Sequence, residues 1–559
     1  MAGPTIVPIE LYSFTGIFVV TLLFAFLDGY SIGANDVANS FATSVGSRSL
    51  TYTQAVCIAL FTEFGGAMLL GASNTGTIKD NIVKSSYFAP RQDLLMTAFM
   101  CALIASSLWI MGCIRIGMHP STTHSIVCSL VGVGVAAYGW DAVNWGWNGR
   151  GVAYVVSGWI LAPSLAATLA GIIYGLTRWI VFSNPEHSLY RGIYAIPVYF
   201  TITGFIVSFF VVMKNGRGDW GISVGGNNPG GAVTLTGDLT KAFVIIGSMT
   251  AIIFLFCMLF AVPFFTRRLI KEENLKWYHI FYIWFVPSQP RDERLAATLN
   301  EAMTPHLNLE SVQAGETAVI AKDKEAIEVT EEVAEACKGH PAWEKFKSVA
   351  LKGFYHDIAT DQYDSAKHLH ENVHVYDNKT EYLFSFLQVM TAAFASFSHG
   401  SNDVANSIGP FAGVYQIWST GQLASSGKAP VPTWMLAFGG IAINFGLAFY
   451  GYNIMRNLGN NLTYHSPSRG FAMELGAALT VITAAFLALP VSTSQCIVGA
   501  TLGVGLIGGN AKAINWKMFG WIALSWALTL PVASITAGSL YWLLTHTPSF
   551  TSAPVAAPK

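Results

Sequence analysis

The sequence predicts an all-α polytopic membrane protein, with about 12 membrane segments in two inverted-topology repeats, re-entrant half-helices and a polar central loop. Three observations predict it: an apolar composition, a series of apolar runs of spanning length, and a pair of polar motifs that occurs twice. The chain has 559 residues, 52% hydrophobic and only 11% charged, whereas a water-soluble surface carries about 25% charged residues. Of its 63 charged side chains, 33 fall between residues 267 and 380, and the other 445 residues share 30. One polar insert therefore separates two membrane regions, giving an N-terminal membrane region 1–265, a cytoplasmic loop 266–380 and a C-terminal membrane region 381–559. The net charge of −1 excludes a polybasic nucleic-acid binder, and no catalytic motif is visible, so the chain reads as no enzyme.

A spanning helix needs about 20 mainly apolar residues. Runs of this kind begin near Leu11, Gln54, Leu94, Pro120, Val152, Ile196 and Val244 before the insert, and near Tyr382, Trp434, Phe471, Val491 and Met518 after it. Some are short or interrupted by glycine and suit hairpins that enter and leave on one side. The N-terminus has no basic region ahead of its first run, which reads as a retained span and not a signal peptide. Arg267, Arg268, Lys271 and Lys276 follow an apolar run directly. Basic residues at such a place favour the cytoplasm, so the loop is expected inside and, with odd numbers of crossings on either side, both termini outside. The aromatic segment from Trp277 suits a membrane interface better than a span, and the charged stretch beyond it a solvated tether. The seven cysteines form no CxxC pair and suggest neither a disulfide framework nor a zinc site.

Gly33-Ala-Asn-Asp-Val-Ala-Asn-Ser40 recurs as Gly400-Ser-Asn-Asp-Val-Ala-Asn-Ser407, 367 positions later. A second pair follows in the same order. Ser121-Thr122-Thr123, just after Pro120, matches Ser492-Thr493-Ser494 after Pro490, and each copy continues into a Gly-x-Gly. An odd number of crossings between the copies turns one upside down, as in secondary transporters whose substrates bind between the repeats near the midplane.

The chemistry of the motifs fits that place. A carboxylate in an apolar run costs a few kcal/mol and is functional by default. Asn35 and Asn39 are one helical turn apart, with Asp36 on an overlapping face, and Asn402, Asp403 and Asn406 repeat the arrangement. Amide and carboxylate oxygens suit a hard alkali cation, and the motif holds no histidine or cysteine for a transition metal. The competing reading is that these side chains only glue helices together. A proline ahead of a hydroxyl run marks a helix start with free N–H groups, which binds anions. Ser121, Thr122 and Thr123 with Ser492, Thr493 and Ser494 could thus face one anion from two half-helices, although ordinary capping accounts for either copy alone. No lysine or arginine lies in either motif, so a bound anion would require co-bound cations. Glu63 and Glu474 are further carboxylates in apolar runs, as ion-coupling or gating groups or as snorkelling residues. His119, His124 and His399 border the motifs and could carry protons or simply pack.

These motifs resemble the inorganic phosphate transporter (PiT) family, and the run from Gly33 to Leu50 looks most like its fungal sodium-coupled phosphate permeases. The resemblance covers roughly residues 11–265 and 381–545. It implies re-entrant hairpins, a homodimer, outside termini, a cytoplasmic central loop and sodium/phosphate symport by alternating access at the plasma membrane. It places phosphate at Ser121, Thr122, Thr123, Ser492, Thr493, Ser494, Asp36 and Asp403. Sodium, a co-substrate and not a cofactor, falls at Asn35, Asp36, Asn39, Asn402, Asp403 and Asn406. Glu63 and Glu474 match intramembrane glutamates that the family needs for transport. Ala34 against Ser401 and His124 against Gln495 make the half-sites similar but not equivalent. Proton coupling is the near alternative, and a phosphate sensor that binds without moving substrate is an alternative of another class.

Overall fold

The computed structural model describes residues 10–147, 151–215, 223–225, 234–236, 239–301, 373–422, 431–487, 489–509 and 511–547. Most of the polar loop expected at 266–380 lies outside the described residues, as do Cys337 and both ends of the chain.

Each apolar run read from the sequence lies in a helix. The first half contains α1 (Thr15–Ile32), a π-helical turn (Gly33–Val37), α2 (Ala38–Gly46), α3 (Tyr52–Asn81), α4 (Gln92–Arg115), α5 (Thr122–Tyr138) and α6 (Val152–Thr177). Then come α7 (Ser188–Asn215), a two-stranded antiparallel pair β1 (Ser223–Gly225) and β2 (Thr234–Thr236), α8 (Leu239–Phe256), the short α9 (Val262–Phe265) and α10 (Glu293–Glu301). The last five helices are α11 (Asn378–Thr420), α12 (Thr433–Leu462), α13 (Pro467–Phe486), α14 (Thr493–Ile507) and α15 (Trp516–His546). The strand pair is the one departure from an all-helical chain among the described residues.

Among the described residues, eight helical stretches are long and apolar enough to cross a membrane. Helices α11 and α13 are not among them, and these carry the second signature and Glu474. Helices α5 and α14 have 17 and 15 residues, about 25 Å of rise at most, which falls short of a bilayer core of about 30 Å. The aromatic segment expected at an interface forms 3-10 turns over Trp277–Phe285, with Trp277, Trp284 and Phe285 largely exposed.

The two halves pair their helices in the same order and exchange them. Helix α1 packs on α4 and α12, whereas α11 packs on α13 and α3; α5 packs on α15, and α14 on α6. Glycine sets the two central crossings. A Cβ on Gly33 would stand 1.8 Å from the Ile443 carbonyl oxygen, and one on Gly446 1.8 Å from that of Tyr30, so α1 and α12 touch backbone to backbone. Gly400 against the Glu63 carbonyl (2.3 Å) and Gly66 against that of Phe397 (2.1 Å) bring α11 and α3 together in the same way. The glycine that opens each signature is thus demanded by packing.

At the membrane end of the insert, Arg267 pairs with Glu273 at 2.5 Å and donates to the carbonyls of Ile283 and Val286. Lys379, at the start of α11, pairs with Glu272 at 2.5 Å. The Lys379 ammonium holds the Glu272 carboxyl below the usual glutamate range against the opposing effect of burial. This clamp ties the start of the insert to the start of the second half.

The crossings generate a test. Gly400→Ala forces a methyl group into the α3 backbone and should destabilise the protein by about 1–3 kcal/mol, as overpacking does. Gly247→Ala, whose Cβ meets nothing within 4 Å, should not. Thermal unfolding of the two variants in detergent checks the difference.

Candidate functional site

The starts of α5 and α14 meet the middle of the signature segments. Ser121 and Ser492 are the N-caps: their hydroxyl oxygens accept from the N–H groups of His124 and Gln495, at 3.2 and 3.3 Å. The proline-plus-hydroxyl pattern thus does begin a helix in both halves. Thr122 and Thr493, the first residues of their helices, donate to the aspartate of their own half, Thr122 to Asp36 and Thr493 to Asp403 at 2.7 Å. The third hydroxyl of each run belongs to both halves. Ser494 donates to Asp36 and accepts from the Asn39 amide at 2.6 Å. Thr123 accepts from Asn406 at 3.3 Å and donates to the Val491 carbonyl.

The remaining asparagines anchor the loops ahead of the short helices. Asn35 donates to the Pro120 carbonyl at 2.8 Å and to Asp36 at 2.9 Å. Asn402 donates to the Val491 carbonyl at 3.2 Å and to Asp403 at 2.7 Å. The Oδ1 atoms of Asn35 and Asn39 have no partner, so oxygens remain for a cation. Asn35, Asp36, Asn39, Asn402, Asp403, Asn406 and the hydroxyl residues other than Thr493 are all buried.

The structure refines the sequence reading at three points. The first signature lies on a π turn and the second within the unbroken 43-residue α11. The helix breaks lie at the hydroxyl motifs, where the sequence places helix starts, because a proline and a capping serine start a helix whereas the signature residues continue one. Next, the signature itself holds no histidine, but His399, one turn before Asp403, joins the cluster. Its Nδ1 is hydrogen-bonded to Glu63 at 2.9 Å, and its Nε2 stands 2.8 Å from Asp403 without hydrogen-bond geometry. Ligand atoms of Asp36, His399 and Asp403 lie within 4.8 Å of one another, close enough to hold one ion; an imidazole suits a transition metal better than an alkali ion. Glu63 also accepts from Ser396 at 2.8 Å.

Lastly, Glu474 stands apart from Glu63, in a polar cluster of its own. Glu63 is on α3, the partner of α11, whereas α13 corresponds in order to α4. Glu474 accepts from Thr43, Ser44 and Thr391 at 2.5, 2.6 and 2.7 Å and from Gln388 at 3.2 Å. This second polar cluster, between α2, α11 and α13, was missed by the sequence reading. Its trace in the sequence is slight: Gln388 and Thr391, one turn apart in an apolar run. His119 and His124 are buried with no partner for their ring nitrogens, and the His124 ring lies tilted against that of Trp159, centroids 3.9 Å apart, which fits packing. The six described cysteines are free, and all but Cys57 are buried.

The comparisons with known proteins agree with this architecture. The sequence pattern of the phosphate transporter family PHO4 matches residues 32–537, nearly the whole membrane portion. The chain belongs to the phosphate transporter family. It is similar to the phosphate-repressible phosphate permease pho-4 of Neurospora crassa, 38% identical over 96% of this chain and 99% of that one. The chloroplastic inorganic phosphate transporter 2-1 of Arabidopsis thaliana is 29% identical over 95% of this chain and 72% of its own length. A solved structure titled the sodium-dependent phosphate transporter matches with a TM-score of 0.65 at 26% identity, covering 95% of this chain and 99% of that one. Members of this family carry phosphate across membranes and are not enzymes.

Thr122→Val and Thr493→Val keep side-chain volume and remove one donor each. Phosphate affinity at saturating sodium should fall about fivefold in either variant, the worth of one hydrogen bond of about 1 kcal/mol, with a smaller change in sodium affinity. Uptake kinetics in proteoliposomes, with phosphate and sodium varied separately, checks this.

Proposed function

We propose that this phosphate transporter is a sodium-coupled symporter that imports phosphate across the plasma membrane by alternating access. The observation that carries the reading is the charge of the buried site: Asp36, Asp403 and Glu63 meet with His399 as their one basic partner, and no lysine or arginine pairs with them among the described residues. Adding an anion to such a site is unfavourable unless cations enter with it. The donor set for those cations is oxygen-rich, from Asn35, Asp36, Asn39, Asn402, Asp403 and Asn406, which suits an alkali ion. The hydroxyls of Ser121, Thr122, Thr123, Ser492, Thr493 and Ser494, at two helix starts, supply neutral donors for phosphate. Thr122, Ser494 and Thr493 donate to the carboxylates. Sodium on those carboxylates would free the hydroxyls to turn to the anion, which couples the two substrates directly.

A second reading, proton coupling, is favoured by His399, an imidazole hydrogen-bonded to Glu63 and 2.8 Å from Asp403, which could carry a proton into the site. The two are separated by phosphate uptake in proteoliposomes with a sodium, potassium or proton gradient as the one variable. Sodium alone should drive accumulation. Uptake driven by a proton gradient without sodium would overturn the sodium reading, and binding without accumulation would reduce the protein to a sensor. Asp36→Asn and Asp403→Asn should each lower apparent sodium affinity or abolish uptake with expression intact.

The inverted repeat, the homodimer and the orientation belong to the same proposal. Their support is the shared order of helix pairing, the resemblance, and the basic residues Arg267, Arg268, Lys271 and Lys276 at the membrane end of the insert. A cysteine placed near Lys324 should react with an impermeant reagent only after the membrane is opened, and one near Ala557 in intact cells. Labelling near Lys324 in intact cells would reverse the orientation.

A further inference from the structure

One buried carboxylate is used by none of the above. Asp28, on α1, is 1% exposed, and neither of its oxygens has a hydrogen-bond partner. Ser106 of α4 faces it without completing a bond, and the Ser106 hydroxyl is itself fully buried and unpartnered. Ser125 of α5 donates to the Ser106 carbonyl at 3.5 Å. One turn further along α5, Ser129 is also fully buried with an unpartnered hydroxyl. Thr122, Ser125 and Ser129 share one face of α5 at i, i+3 and i+7, and Asp28, Ile32 and Asn35 share one face of the α1 segment at i, i+4 and i+7. Asp28 thus lies on the same face of the α1 segment as Asn35, about 10 Å away at 1.5 Å per residue.

The second half shows that packing does not require these polar groups. The signatures are offset by 367 positions, which places Ala395 where Asp28 stands. The ends of α4 and α13, and the caps Ser121 and Ser492, are offset by 371, which places Ala477, Cys496 and Ala500 where Ser106, Ser125 and Ser129 stand. One half forms this helix interface from small weakly polar or apolar side chains; the other puts there a carboxylate and three hydroxyls with unused lone pairs. A carboxylate in a membrane interior without donor or basic partner is retained for a positive charge, and hydroxyl and carboxylate oxygens are the ligands an alkali cation takes.

We propose that Asp28, with Ser106 and Ser129, forms a further binding site for a monovalent alkali cation, between α1, α4 and α5, on the route to Asp36. The site rests on the cation-coupled reading above and adds a position present in one half only. A sodium ion held there would reach Asn35 and Asp36 along the shared face of α1 and α5.

The test is radioactive sodium binding to purified protein in detergent, without phosphate, for wild type, Asp28→Asn, Asp28→Glu and the double variant S106A/S129A. Asp28→Asn should lose one bound sodium ion per chain, and Asp28→Glu should retain it. S106A/S129A copies the alanines that the second half already accommodates, so folding is expected; its sodium affinity at this site should fall about fivefold. Sodium binding by the wild type with the same stoichiometry and affinity in Asp28→Asn and S106A/S129A would overturn the site while leaving the coupled reading intact. No sodium binding by the wild type would overturn both. Unchanged sodium binding in Asp28→Asn with a shifted pH profile of uptake would overturn the alkali site in favour of a proton.

Discussion

Two aspartates buried in an apolar interior, with no lysine or arginine paired to them among the described residues, impose the constraint that the rest of the structure serves. A carboxylate in that position costs several kcal/mol unless its oxygens are satisfied. Asp36 receives Thr122, Ser494 and Asn35, and Asp403 receives Thr493 and Asn402 with His399 beside it. The donors come from helix starts, which exist only because α5 and α14 begin in the protein interior. The glycine crossings Gly33–Gly446 and Gly400–Gly66 bring the signature backbones close enough for those starts to reach them. Because Asn39 bonds Ser494 and Asn406 bonds Thr123, each half completes the site of the other. A relative movement of the halves must exchange these bonds.

The departures from symmetry are as informative as the symmetry. His399 and Glu63 meet at the α11–α3 crossing; at the matching α1–α12 crossing the same places hold Ile32 and Ile443, both fully buried. An isoleucine pair packs there without desolvating charge, so the fold alone does not call for the histidine–glutamate contact. The same logic separates Asp28 and its serines from Ala395, Ala477 and Ala500. One half thus carries an extra carboxylate ahead of its signature and the other an imidazole. Two half-sites of equal shape and unequal charge can bind unlike cations, or the same cation with unequal affinity.

What was legible in the sequence follows from the range of the interactions. The helices were legible because apolar runs are local, and the duplicated motifs because identity can be seen without a structure. Pro120 with Ser121 and Pro490 with Ser492 announced their helix starts, since capping is complete within four residues. The role of Ser121 and Ser492 as caps, distinct from Thr122, Thr123, Thr493 and Ser494, which bond the signature side chains, was not separable by pattern alone. The contact of Glu63 with His399 spans 336 positions and that of Glu474 with Thr43 spans 431; no periodicity reports such pairs. The π turn over Gly33–Val37 was equally hidden. It adds a residue to the turn where α1 passes Gly446, whereas the second copy, which differs from the first in one residue of eight, continues an ordinary helix.

The hydrogen-bond pattern also bears on the order in which the proposed symporter would fill. The hydroxyls of Thr122, Ser494 and Thr493 all donate to carboxylates. Each has a single proton to give. An anion arriving first would find those protons committed and would face Asp36 and Asp403 with their charge uncompensated. A cation arriving first meets the opposite situation: the carboxylate lone pairs are already aimed inward, and the free Oδ1 atoms of Asn35 and Asn39 add neutral oxygens. Once it is seated, it reduces the carboxylates' hold on the hydroxyl protons and cancels the field that repels the anion. Cation before anion is therefore the order in which each step lowers the barrier to the next, and the reverse order requires charge to be brought against charge in a medium that screens it poorly.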